Sequence, residues 1–257
     1  VEVALPVGGE SKLSGSRNEV WLSPASGADG RPLMLYVKPQ LTARQLAVEL
    51  LAAQIGRACG LPCPNPYLVR ARSPRFGLAA TEVRLVFGSE REGRGMAQPI
   101  RDRDYLFETL EQAKLLVPAI VFDEWIANTV RGPGDVLFDT ERGAVLIDHE
   151  GAMEASVSSS GAAANWLGDR VVDSNSPAKR LEMLAKAREF VATISALDMS
   201  LATVAPLNSV PGAMDAYRDC RDFLIARRSE LDRLVSRRLM PEQGYLGEQP
   251  RKTSDGT

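Results

Sequence analysis

The chain has 257 residues, 44% of them hydrophobic and 25% charged, the balance of a soluble globular protein with room for one large domain or two small ones. Its 31 Lys and Arg against 33 Asp and Glu leave a formal charge of −2, which argues against nonspecific nucleic-acid binding through phosphate neutralisation. The apolar runs fall short of the roughly 20 residues of a membrane span, no signal segment is visible, and the three cysteines, Cys59, Cys63 and Cys220, suit a reducing compartment better than a disulfide scaffold. Cytoplasm is the expected location.

The first third reads as β-rich. Residues 19–22 form a short strand, 23–31 a polar loop with turn residues Gly27, Asp29 and Gly30, and Pro32–Lys38 a second strand, so that the two make a hairpin. Residues 42–58 predict a helix capped by Thr42, with Leu46, Leu50, Ala53 and Ile55 near helical period, and Gly60 stops it. Pro62, Pro64 and Pro66 then stiffen an extended link. Residues 66–72 and 78–87 complete a small antiparallel sheet. The polar, glycine-rich stretch 89–98 is the expected hinge between a β-rich unit, 1–88, and a helical unit, 99–240. Helices are expected at 104–113, 117–129, 177–197 and 213–238. A hairpin, 136–138 and 144–147, interrupts them, 154–164 is a loop of small residues, and 241–257 reads as a disordered tail.

The chemistry concentrates at the ends of these elements. Lys38 ends an apolar strand, and Glu49 lies mid-helix eleven residues later between Val48 and Leu50. Such a pair can aim an ammonium at nucleotide phosphates; the alternative is an exposed lysine and an exposed helix glutamate. Asp148 closes the apolar run 145–147 and opens the turn His149-Glu150-Gly151, a setting that suits a magnesium ligand or a turn-capping aspartate. The hairpin returns Asp135 beside Asp148, so one metal could bridge both. His149 is the only histidine and reads as a packing or hydrogen-bonding residue, since no nucleophile elbow accompanies it. Cys59 and Cys63 lack a second ligand pair, which argues against zinc. Before the first strand, Ser14, Gly15, Ser16, Arg17 and Asn18 form a small polar loop whose amides could cradle phosphates or make a plain turn.

This order of elements resembles the HipA-like kinases over about residues 12–240. The segments that carry the resemblance are Tyr36-Val-Lys-Pro39, Gly60-Leu-Pro62, Phe122-Asp-Glu-Trp-Ile-Ala-Asn128 and Ile147-Asp-His-Glu150, the last similar to the family's I-D-H-G. The resemblance implies an α+β, two-lobed protein-kinase-like fold with a small β-rich N-lobe carrying one helix and a larger helical C-lobe. It also implies ATP and Mg²⁺ as cofactors, with the loop 14–18 and Lys38 on the phosphates, Glu49 paired to Lys38, and Asp135 and Asp148 on the metal. A protein serine or threonine hydroxyl is the implied acceptor.

One position departs from the pattern. The family's catalytic loop looks like N-x-D-R-x-x-G-N, whereas this chain has Asn128-Thr-Val-Arg-Gly-Pro-Gly-Asp135. Val130 stands where the catalytic aspartate belongs, and a valine neither accepts a proton nor orients a hydroxyl. Asp123 and Asn128 repeat the D-x4-N spacing but lie inside an apolar helix, away from the hairpin. Three functions follow: a kinase of reduced activity, a pseudokinase that binds nucleotide or protein, or a helical interaction protein.

Overall fold

The computed structural model describes residues 1–13, 19–72, 76–78, 83–91, 98–139, 143–200 and 204–241. Its first half is built from β1 (Glu2–Pro6), β2 (Ser11–Lys12), β3 (Trp21–Ser26), β4 (Pro32–Lys38), β5 (Pro66–Arg72) and β6 (Val83–Glu90). The expected hairpin is present: β3 and β4 pair antiparallel from Trp21 opposite Val37 to Ser26 opposite Pro32. The expected small antiparallel sheet is present in β3, β4, β5 and β6 but is not complete as expected. Strand β1, which the sequence reading missed, runs parallel to β5 and antiparallel to β3, and so closes β1, β5, β6, β4 and β3 into a five-stranded barrel. Period-two alternation fills it with Ala4, Ala25, Leu33, Leu35, Val37, Tyr67, Val69, Ala71 and Val86. Strand β3 therefore extends through residues expected as loop, because Ser23 and Ala25 face inward. Phe76 plugs the barrel and meets Trp21 edge-on, ring centroids 5.9 Å apart.

Between β4 and β5 runs α1 (Ala43–Ala58). Thr42 starts it with a reciprocal cap: its side chain accepts the Gln45 N–H, and the Gln45 side chain accepts the Thr42 N–H at 3.0 Å. Gly60, at φ 81°, ends it. The expectation of a single apolar face is too narrow. Residues 46–53 are all buried, because one side of α1 covers Leu68 and Phe87, which point out of the barrel, and the other packs on the last helix.

The second half contains a three-stranded sheet, β7 (Gln98–Pro99), β8 (Val136–Asp139) and β9 (Gly143–Leu146), and the helices α2 (Arg103–Gln112), α3 (Leu116–Trp125), α4 (Trp166–Ser174), α5 (Pro177–Ser195) and α6 (Ala213–Leu239). Asp102 caps α2 through the Tyr105 N–H, and Ser176 caps α5 ahead of Pro177. Helix α4 was not expected. Helix α3 stops four residues before the expected end: Ala127 turns left-handed at φ 49°, and the Asn128 N–H closes back on Asp123 O at 2.8 Å. Along α6, buried positions recur at Tyr217, Cys220, Leu224, Arg227, Leu231 and Leu234, one helical stripe with a charge in it. Two apolar clusters result, one inside the barrel and one running from α1 through α3, α5 and α6. No described helix is long and apolar enough to cross a membrane, and the three cysteines are free and buried. Residues 92–97 of the expected hinge and 242–257 of the expected tail lie outside the described residues.

The barrel interior leaves no room at Gly88, where an added Cβ would lie 2.5 Å from Val69 Cγ2. Gly88→Ala is expected to lower unfolding free energy by about 1–3 kcal/mol through overpacking, read as a drop in the urea midpoint. An unchanged midpoint would mean that Val69 can step aside.

Candidate functional site

Lys38 is the last residue of β4. Alternation sends Leu33, Leu35 and Val37 into the barrel and turns Lys38 outward, on the face shared with its cross-strand partner Phe87. There its ammonium, only 12% exposed, donates to Glu49 Oε1 at 2.5 Å, Asp148 Oδ1 at 2.6 Å and Glu150 Oε2 at 3.0 Å. Glu49 arrives from the middle of α1 and is 1% exposed. Its second oxygen accepts the His149 backbone N–H at 3.1 Å. Burial opposes both charges, and their partners outweigh it. Glu49, Asp148 and Glu150 hold Lys38 above the ordinary lysine range, and Lys38 with His149 holds Glu49 below the ordinary carboxylate range.

The carboxylates opposite Lys38 sit in the turn after β9. Asp148 adopts left-handed backbone, φ 58°, which Asp tolerates better than most residues. His149 is buried with its ring edge-on to Phe122, centroids 5.8 Å apart, in keeping with a packing role. Asp135 closes the short 3-10 turn Pro133–Asp135 ahead of β8. Val136 pairs with Leu146 across the hairpin, and the Ile147 N–H donates to Asp135 O at 2.9 Å, so Asp135 and Asp148 flank the same hairpin end. One oxygen each from Glu49, Asp148 and Glu150 lies within 4.8 Å of the others, close enough to hold a cation together. Asp135 stands beside this group, near enough for the Asp148 charge to act on it.

Sequence reasoning missed two members of the site. Glu150 was seen only as part of a motif, although its place two residues beyond Asp148 in one tight turn was a usable signal. Arg131 was not singled out at all. It is 4% exposed and bound to Asp123 through Nε at 3.0 Å and Nη2 at 2.8 Å. Its Nη1 donates to Ile147 O at 2.8 Å and Asp135 O at 3.2 Å. The placing of Asp123 and Asn128 away from the hairpin is thus corrected: the left-handed turn at Ala127 folds the chain back, Asn128 donates to Asp123 at 3.1 Å, and Arg131 ties both to the hairpin. Val130 is 43% exposed, outside the apolar core. Its Cγ2 would lie 2.4 Å from a Cβ added at Gly151, so it covers the glycine that follows Glu150. Ser14, Gly15, Ser16, Arg17 and Asn18 lie outside the described residues. A cavity of about 440 Å³ lies behind α1, lined by Leu51, Gln54 and Ile55, and touches none of these groups.

A family described as HipA-like kinase matches residues 25–197. No curated protein matches the chain. Among solved structures, the proinflammatory kinase CtkA of Helicobacter pylori shares the fold with a TM-score of 0.54 at 10% identity, over 90% of this chain and 94% of that one. The Rio2 kinase of Chaetomium thermophilum, in a complex with ADP, Mg²⁺ and phosphoaspartate, aligns with a TM-score of 0.34 at 12% identity, over 89% of this chain and 71% of that one.

Asp135 offers a titration that reports on the site. Burial pushes its carboxyl up to about 6, with the Asp148 and Asp123 charges adding and the Gly132 N–H and Arg131 pulling back. A carboxyl raised on folding binds more protons in the folded state, so stability falls as pH rises from about 4 to about 6 and stays lower above that. Asp135→Asn keeps an oxygen for the Gly132 N–H and removes the charge. It is expected to stabilise the protein by about 1–2 kcal/mol at pH 7.5, allowing for partial exposure, and by nothing at pH 4. Urea titrations at the two pH values check this, and equal effects at both would refute the raised carboxyl.

Proposed function

The chain belongs to the HipA-like kinase family, and from that premise we propose that it binds ATP with Mg²⁺ and transfers the γ-phosphoryl group to a serine or threonine hydroxyl of a protein. The observation that carries this reading is the buried ammonium of Lys38 held among Glu49, Asp148 and Glu150. A surface lysine needs no such surroundings, whereas an ammonium that must meet phosphate oxygens needs a fixed direction.

The residues present fit both cofactors. Magnesium takes oxygen ligands, favours one or two carboxylates and shares phosphate oxygens; Asp135 and Asp148 would hold it at the end of the hairpin. Bound there, it neutralises charge on the phosphates. Lys38 would hold the phosphates, Glu49 would keep Lys38 aimed, and the loop Ser14–Asn18 would cover them. In this reading residues 1–88 form the nucleotide-holding lobe, 89–98 the hinge and 99–240 the lobe that receives the acceptor. Arg131 supports the site from below, because its bonds to Ile147 O and Asp135 O hold the two strands together at the open end of the hairpin.

Val130 favours a second reading, that of a pseudokinase acting through nucleotide or protein binding. At 43% exposure the side chain faces solvent beside Gly151, where an aspartate of similar size would fit and would receive the acceptor's proton. Positioning and charge stabilisation supply much of phosphoryl transfer, so the valine reduces transfer in the first reading and abolishes it in the second.

Two measurements test these readings. Asp148→Ala is expected to weaken magnesium-dependent ATP binding by calorimetry at least about a hundredfold; equal ATP affinity of the unchanged protein with and without magnesium would remove Asp135 and Asp148 from the site. Val130→Asp is expected to raise γ-phosphate transfer, followed with radiolabelled ATP, by at least about a hundredfold. A Val130→Asp protein that binds Mg-ATP and transfers nothing decides for the pseudokinase.

A further inference from the structure

We propose that Glu150 is a competing anion built into the nucleotide site: its carboxylate occupies one of the hydrogen-bond positions of Lys38 and must leave before a phosphate oxygen can bind there. The inference rests on the kinase reading. An ammonium has three N–H donors, and here each meets a carboxylate, Glu49 at 2.5 Å, Asp148 at 2.6 Å and Glu150 at 3.0 Å. A phosphate that binds Lys38 therefore displaces one of them.

The geometry says which one yields. Glu49 is 1% exposed and its other oxygen receives the His149 N–H, so releasing it would strand a buried charge. Asp148 is held at 2.6 Å by a short side chain on a fixed left-handed backbone. Glu150 makes the longest of the three contacts, and its side chain has one more rotatable bond than that of Asp148. Its contact with Lys38 is the weakest of the three to break, although its side chain, 15% exposed, is more enclosed than that of Asp148 at 29%.

Charge adds to the competition. One ammonium against three carboxylates leaves the site anionic before any phosphate arrives, and a polyphosphate is repelled until a carboxylate turns away or is neutralised. A divalent cation acting on Asp148 and Glu150 answers both conflicts, so Glu150 steepens the dependence of nucleotide binding on metal. The related I-D-H-G motif has glycine at this place and no competing anion.

The test is ATP binding to the full chain by calorimetry, in chelator and in excess magnesium, with Glu150→Gln and Glu150→Gly. Melting curves establish that both variants fold. In chelator both are expected to bind ATP at least about tenfold more tightly than the unchanged protein. Adding Lys38→Met to Glu150→Gln is expected to erase the gain. Unchanged affinity in chelator, beside magnesium-dependent binding by the unchanged protein, overturns the role of Glu150 alone, as does a gain that persists without Lys38. Absence of ATP binding by all of these proteins in both buffers overturns the kinase reading and this inference with it.

Discussion

The ammonium of Lys38 lies where the barrel, α1 and the turn after β9 converge, and its burial sets the conditions under which those three parts assemble. A lone buried carboxylate costs several kcal/mol, so the wholly buried Glu49 depends on the ammonium of Lys38. Glu49 must therefore face β4, which fixes the rotation of α1 about its axis. Asp148 and Glu150 then draw in a segment more than a hundred residues further along the chain. Arg44, near the start of α1, adds a bond from its guanidinium to Met153 O beside the one from the His149 N–H to Glu49, so α1 and this segment are tied twice.

Beneath this lies a second level of paired charge, carried by consecutive residues of α3. Asp123 and Glu124 point in directions about 100° apart, as neighbours on a helix must. Asp123 turns to Arg131 and through it reaches the hairpin. Glu124 turns to Arg227 of α6 at 3.0 Å, and accepts the Ala163 N–H at 3.1 Å. Arg227 itself donates to Ser158 O at 2.9 Å and Gly161 O at 2.6 Å. The small-residue loop after the site thus has a fixed backbone although its own side chains supply little packing. One short helix organises both the hairpin of β8 and β9 and the segment that follows it.

Local signals carried much of this into the sequence. Strand β4, α1 with its Thr42 cap, β5 and the hairpin of β8 and β9 are each specified by alternation, capping or a turn within a dozen residues, and their bounds fall close to expectation. Closure of the barrel was not legible, because β1 is five residues long and pairs with β5 some sixty residues away. A short strand with a distant parallel partner leaves no local pattern. The pairing of Lys38 with Glu49 could be anticipated as one of two alternatives. Arg131, Glu124 and Arg227 could not, since a buried arginine looks like a surface one until its carboxylate is found. The early end of α3 was hidden for a related reason: the left-handed turn falls on an alanine, which gives no warning of it.

The stripe of α6 has a last implication. Its apolar positions repeat at alternating three- and four-residue steps over 27 residues, a pattern that a slide of two turns would nearly reproduce. Such a slide would bring Cys220 or Leu234 opposite Glu124 in place of Arg227, leaving a carboxylate that is wholly buried with no guanidinium to answer it. Apolar packing alone would leave the two registers close in energy; Glu124, bonded to both Arg227 and Arg238 of the helix, separates them by several kcal/mol. The ion pair is thus the vernier that sets where the long helix stops along its groove.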